Sequence, residues 1–208
     1  MDPPALEEWC RNYWRPVRAY VQAVGHNEEE AEEITQEFFH RLLERGADQT
    51  LPANLDGAFR AYLKRSIRNY ITDRWRATRC QRRGGSRPHR TLEDETTSDD
   101  QAAPDRAFAQ AWCLTLIQRA HKALQSEMIH AGKTDFYRAA APLLDGGRNH
   151  SSHRDLATSL GMKEGAFRVA VHRLRQRFRQ LLEEELRQTV STEQELNEEI
   201  RYLLSIWS

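Results

Sequence analysis

Apolar residues recur at three- and four-residue intervals along most of this chain, the period of helices with one buried side. Leu6, Trp9, Cys10, Tyr13, Val17, Tyr20, Val21 and Val24 trace a first helix, with Pro16 expected to kink or restart it. Gly25 ends it, and Asn27 with Glu30 predicts the next cap. A second helix over 28–45 buries Ala31, Ile34, Phe38 and Leu42, with Phe39 and Leu43 beside them. After a loop over 46–57, Phe59, Tyr62, Leu63, Ile67, Tyr70, Ile71 and Trp75 form the apolar side of a third, which Gly84, Gly85, Ser86 and Pro88 break.

Residues 93–104 are polar, acidic and poor in apolar side chains, the composition of a flexible linker. Pro104-Asp105 is expected to open a second helical region whose stripe is Phe108, Trp112, Leu116, Ala120, Ala123 and Leu124. A short helix over 136–144 stops at Gly146-Gly147. Residues 152–159 then make a capped short helix, Leu160-Gly161-Met162 a turn, and Lys163 opens a long helix burying Phe167, Ala170, Val171, Leu174, Phe178, Leu181 and Leu182. A small residue in the first helix, glycine in the turn and apolar anchors in the second are the pattern of a helix-turn-helix. At the end, Thr192-x-x-Glu195 caps an amphipathic helix with Leu196, Ile200, Leu203, Leu204 and Trp207, expected to pack on the second domain. The predicted fold is all-α: domains over 1–84 and 105–190, the second with the helix-turn-helix, a flexible acidic linker over 85–104, and a helical extension over 191–208.

Charge changes the picture. The 208 residues carry 31 Lys and Arg against 31 Asp and Glu, a formal net charge of +0. The balance is segregated. Residues 59–90 hold eleven basic side chains against Asp73, a local +10, while residues 28–45 hold seven glutamates against Arg41 and Arg45, a local −5. Solvated helix faces alternate sign, so so one-sided a run predicts an anionic partner, most often nucleic acid. At about 100° per residue, Arg65, Arg68, Asn69, Thr72, Arg76 and Arg79 share one side of the third helix. Glu33, Gln36, Glu37 and His40 share the outer side of the second, a docking stripe for a basic partner. On the last long helix Arg168, His172, Arg175 and Arg179 line up, with Val169 and Arg173 on the adjoining strip.

Other classes fare worse. At 39% hydrophobic and 30% charged, the chain has no run near the ~20 apolar residues of a membrane span. Its start lacks the basic and apolar regions of a secretory signal, so a cytoplasmic location without membrane insertion is expected. Cys10, Cys80 and Cys113 are widely spaced, which argues against a disulfide framework or zinc site. Glu37-x-x-His40 and Glu127-x-x-His130 have di-iron spacing, but His40 lies ~150° from its helix's apolar centre, where a ligand would point inward. No phosphate loop, G-x-S-x-G or paired catalytic acids occur, so no enzyme, metal or cofactor is expected.

The segments 31–39 (Ala-Glu-Glu-Ile-Thr-Gln-Glu-Phe-Phe), 59–76 (Phe-Arg-Ala-Tyr-Leu-Lys-Arg-Ser-Ile-Arg-Asn-Tyr-Ile-Thr-Asp-Arg-Trp-Arg) and 165–175 (Gly-Ala-Phe-Arg-Val-Ala-Val-His-Arg-Leu-Arg) follow one another in a recognisable order. Over residues 5 to 190 the chain resembles sigma factors of bacterial RNA polymerase: the extracytoplasmic-function group of the sigma-70 family, in a planctomycete-like subgroup. The resemblance implies a transcription initiation factor whose partners are core RNA polymerase and promoter DNA, with an anti-sigma protein as a further candidate partner. It places Glu33, Gln36, Glu37 and His40 on the clamp helices of the largest subunit, and adds the flap of the second-largest subunit as a contact. The 59–83 helix would open and read the minus-ten box, Asn69 and the 47–57 loop lining a pocket for a flipped base. Arg168, Val169, His172, Arg173 and Arg175 would meet the minus-thirty-five box in the major groove. Glu33 departs from the family's usual aspartate, keeping the charge with a longer reach. A freestanding helix-turn-helix regulator is the competing reading; it leaves the acidic stripe and first basic helix without a role.

Overall fold

The computed structural model describes residues 3–47, 59–82, 98–144 and 152–206. They form eight α-helices: α1 (Pro3–Ala23), α2 (Glu28–Ala47), α3 (Phe59–Arg82), α4 (Ser98–His130), α5 (Thr134–Ala140), α6 (His153–Ser159), α7 (Glu164–Arg187) and α8 (Glu193–Ser205), with a 3-10 turn at Ala141–Leu143. The chain divides into two compact units, one of residues 1–115 and 189–208, the other of residues 116–188.

In the first unit, α1 runs through Pro16 without restarting. A proline removes one backbone donor and crowds the preceding turn, and here buried Tyr13, Val17, Tyr20 and Val21 hold the helix on both sides of it. Gly25, at φ 111°, occupies backbone space that suits glycine and ends the turn. Asn27 Oδ1 then accepts from the Glu30 amide at 2.9 Å, satisfying one of the orphan donors of α2. Arg18 ties α1 to α2 through Glu28 and, at 3.3 Å, Glu32.

Ala31, Ile34, Phe38, Phe39 and Leu42 of α2 are buried, as are Phe59, Leu63, Ile67 and Tyr70 of α3. The apolar row of α3 stops there. Ile71 is half-buried and Trp75, expected in the core, is 47% exposed.

The region between the expected domains differs from the linker the composition suggests. Residues 83–97 lie outside the described residues, and so do the glycines expected to end α3. Residues 98–104 form the first turns of α4, with Pro104 inside the helix instead of opening it. Nothing from Asp105 to His130 interrupts that helix, since the stretch holds no glycine or proline. Its stripe serves both units. Phe108, Ala109 and Trp112 are fully buried in the first, where Trp112 stacks on Tyr13 (centroids 4.8 Å apart, 15° between planes) and Phe108 meets Tyr20 edge-on at 6.4 Å. Leu116, Ala120 and Leu124 belong to the second.

The terminal helix also corrects an expectation. Thr192 and Glu195 form the capping box, but α8 belongs to the first unit and not the second. Glu199, 3% exposed on the apolar side of α8, is paired by Arg60 of α3, and the Phe59 amide donates to Thr189 O at 2.8 Å. A buried carboxylate requires such a partner, and a leucine-only reading of α8 passes over it.

The second unit packs Ala120 and Leu124 of α4, Tyr137 and Ala140 of α5, Ala157 of α6, and Phe167, Val171, Leu174, Phe178 and Leu181 of α7 into one cluster. Ser152 caps α6 in a reciprocal box with Asp155. Gly161, at φ 65°, makes the turn into α7. Arg177 of α7 grips Glu127 of α4 at 2.6 Å and Glu184 at 3.0 Å.

Candidate functional site

The acidic stripe lies on α2. Glu33, Gln36 and His40 are exposed there, and Glu37 is half-buried. His40 Nδ1 sits 3.5 Å from Glu44, and a recess of about 380 Å³ is lined by Gln36, Glu37, His40, Arg41 and Glu44. Glu37 differs from its neighbours in facing α3. One carboxylate oxygen accepts from the Tyr70 hydroxyl at 2.7 Å and also from Arg74, while the Arg41 guanidinium lies over the Tyr70 ring at 5.1 Å. Burial, then the hydrogen bond to Glu37, raises the Tyr70 phenol above its ordinary value, so it remains a donor through the neutral range. The Phe38 and Tyr70 rings meet edge to face at 5.7 Å beneath this network. Side chains of the acidic and basic helices are thereby tied together within one compact unit.

The basic row of α3 points outward. Arg65, Arg68, Asn69 and Arg76 are exposed; Thr72 is half-buried and donates to Arg68 O at 2.9 Å. Arg76 lies 3.7 Å from Asp73. Arg79 falls within α3, but its side chain lies outside the described residues, as does the 48–57 part of the expected base pocket. From Arg65 to Arg76 the row extends about 16 Å along the axis. Its guanidinium groups can neutralise phosphates, and the Asn69 amide offers both donor and acceptor to a base edge. Lys64, next to the row, is held by Asp105 of α4 at 2.6 Å.

On α7, Arg168, Val169, His172, Arg173 and Arg175 are all exposed, Val169 at 53%. They do not stand alike. Arg168 pairs with Glu164 at 2.6 Å within the first turn, and Arg175 donates to Leu143 O at 3.0 Å, bracing the 3-10 turn. Glu127, half of one E-x-x-H pair, is engaged by Arg177, and His130 Nδ1 faces Ser126 O at 2.7 Å.

Sequence reasoning missed Arg74, Tyr70 and Arg41 as the partners that set Glu37, and Arg60 and Glu199 as a buried pair with the half-buried Tyr202 ring against it. Arg74 carried a signal: on the wheel it falls within the apolar side, between Leu63 and Ile67, and opposite the basic row. Glu199 carried one too, one residue before Ile200 in an otherwise apolar stripe.

Residues 10–80 match the Sigma-70 region 2 family. The matched span runs from Cys10 in α1, through all of α2, to Cys80 in α3, and so takes in both the acidic stripe and the basic row. It supports a sigma factor of the sigma-70 family, with a role in transcription initiation, and implies binding to core RNA polymerase and promoter DNA. No curated protein and no solved structure matches the chain. Among the described residues no helix is long and apolar enough to cross a membrane.

Proposed function

We propose that this chain is a sigma factor of the extracytoplasmic-function group, in a planctomycete-like subgroup, acting in the cytoplasm as a non-enzymatic initiation factor. The observation that carries the reading is the coincidence of the matched span with two oppositely charged helix faces fixed to one core. Glu33, Gln36 and His40 on α2, with the outward part of Glu37, form the surface for the clamp helices of the largest polymerase subunit. The α3 row of Arg65, Arg68, Asn69, Thr72, Arg76 and Arg79 binds and reads the minus-ten box. Helices α6 and α7 act as a helix-turn-helix, placing Val169, His172 and Arg173 in the major groove of the minus-thirty-five box, with Arg168 and Arg175 at its edges. The flap of the second-largest subunit is the expected second contact on polymerase, and an anti-sigma protein a candidate regulator.

The energetics are coherent. Unstacking a promoter base step costs a few kcal/mol, offset by phosphate contacts and by sites that accept extruded bases. A chain with no net charge gains little from DNA by long-range attraction, so the free protein binds DNA weakly and with strong salt dependence. Core polymerase, footprinted with this protein on genomic promoter fragments, should protect two boxes at fixed spacing. The α6–turn–α7 arrangement also favours a freestanding operator-binding regulator as second reading. Tight sequence-specific binding without polymerase, and no affinity for the core enzyme, would establish that reading and end the first.

A further inference from the structure

The first unit is completed by a helix from the far end of the chain. Arg60 is 8% exposed; its Nε and one terminal nitrogen hold the two Glu199 oxygens, the second at 3.0 Å, and the Tyr202 ring lies 3.9 Å from the guanidinium carbon. Leu196 and Leu203 are buried alongside, and Thr189 O receives the first amide of α3. We infer that α8 is a releasable latch on the first unit, which lifts when the factor engages polymerase and promoter; this rests on the sigma-factor reading.

Three features make the latch releasable. Its apolar anchorage is small, with Leu204 66% exposed and Ile200 and Ile206 half-buried. At 13 residues, α8 has a length at which isolated helices are marginal in water, so leaving the unit also melts it. Its central contact is a buried ion pair, which fixes register while contributing little net stability, because desolvation offsets attraction.

Two features say what it controls. The chain passes from the first unit into the second along α4 and returns at Thr189, so docked α8 attaches the second unit at both ends. Released, the second unit hangs from α4 alone and is free to find its own promoter box. Besides Glu199, which Arg60 neutralises, the latch carries Glu193, Glu195 and Glu198 against Arg201, so docked α8 adds net negative charge to the unit that holds the basic α3 and opposes phosphates approaching it.

The test uses the full chain. Glu199→Gln leaves Arg60 without its counter-charge when α8 is docked and so favours release. Amide exchange over 193–205 should accelerate in this variant while α1–α3 keep their protection, and affinity for core polymerase should rise about tenfold, because apparent affinity scales with the competent fraction. A second variant, Arg60→Met with Glu199→Leu, replaces the pair by apolar side chains, keeps α8 docked and should bind like the wild type. Unchanged exchange in α8, or accelerated exchange with unchanged or weaker polymerase binding, overturns the latch. Loss of protection in α1–α3 also overturns it, making α8 a permanent part of the core. If wild type and both variants all fail to bind core polymerase, the sigma-factor reading falls and takes the latch's role with it, an outcome distinct from the others.

Discussion

The Tyr70 hydroxyl donates to Glu37 at 2.7 Å, and Arg74 shares the same carboxylate oxygen. A side chain aligned by spacing with a docking stripe therefore also positions the basic helix. Glu37→Gln keeps an acceptor for Tyr70 and removes the charge facing Arg74. The first unit should lose about 1 kcal/mol, the range for ion pairs that water still reaches. Urea titration measures it, with Gln36→Ala, which alters an exposed side chain, expected to leave the midpoint unchanged.

Docking should respond in the opposite pattern. Glu33→Ala combined with Gln36→Ala should weaken core polymerase binding about tenfold, the effect of losing a modest interface contact pair. The thermal midpoint should not move. Equal transcription from wild type and double variant would count against this surface.

The α3 row separates into phosphate and base contacts by salt dependence. Arg68→Ala should reduce the slope of log K against log salt by about one, on any sequence. Asn69→Ala should keep the slope and lose discrimination among minus-ten sequences. Titration of promoter and scrambled duplexes with the polymerase-bound factor, over a range of salt, distinguishes the two.

Two exposed arginines of α7 should behave differently. Arg173→Ala should cost minus-thirty-five selectivity, about 1–3 kcal/mol against the wrong base pair, with no loss of stability. Arg175→Ala also removes the hydrogen bond to Leu143 O and should destabilise the second unit by about 1 kcal/mol. Paired melting curves and footprints of the two variants decide it.

Two glutamates pull the stability of the second unit in opposite directions with pH. The hydrogen bond from Arg177 holds Glu127 below its ordinary value, so its contribution is present above the unfolded pKa and is lost as pH falls through the lower folded one. Burial pushes Glu185 up despite Arg119 at 2.8 Å. Its cost is absent below the unfolded pKa and grows as pH rises through the higher folded one. Glu127→Gln should flatten the acid limb and Glu185→Gln the limb above it, in thermal midpoints recorded between about pH 3 and 7.

Local signals were well represented in the chain. The caps at Asn27, Ser152 and Thr192 and the turn at Gly161 follow from side-chain chemistry within a few residues, and all four are present. The outward faces were legible too, because Glu33, Gln36, Arg65 and Arg68 need only helical period to be placed. What stayed hidden depends on distant partners. Trp112 reads as the core of whichever domain follows the acidic stretch, and only its stacking on Tyr13 reveals the other. Glu199 reads as a surface acid until Arg60, far upstream, is beside it. Composition misled at 98–104, where polar residues extend a helix anchored by the aromatic side chains after them.

Because its first unit is assembled from segments on either side of the second, synthesis imposes an order. The second unit is contiguous and has all its residues before α8 has been translated. A ribosome that stops between Thr189 and α8 therefore yields a product with the later unit whole and the earlier one lacking α8.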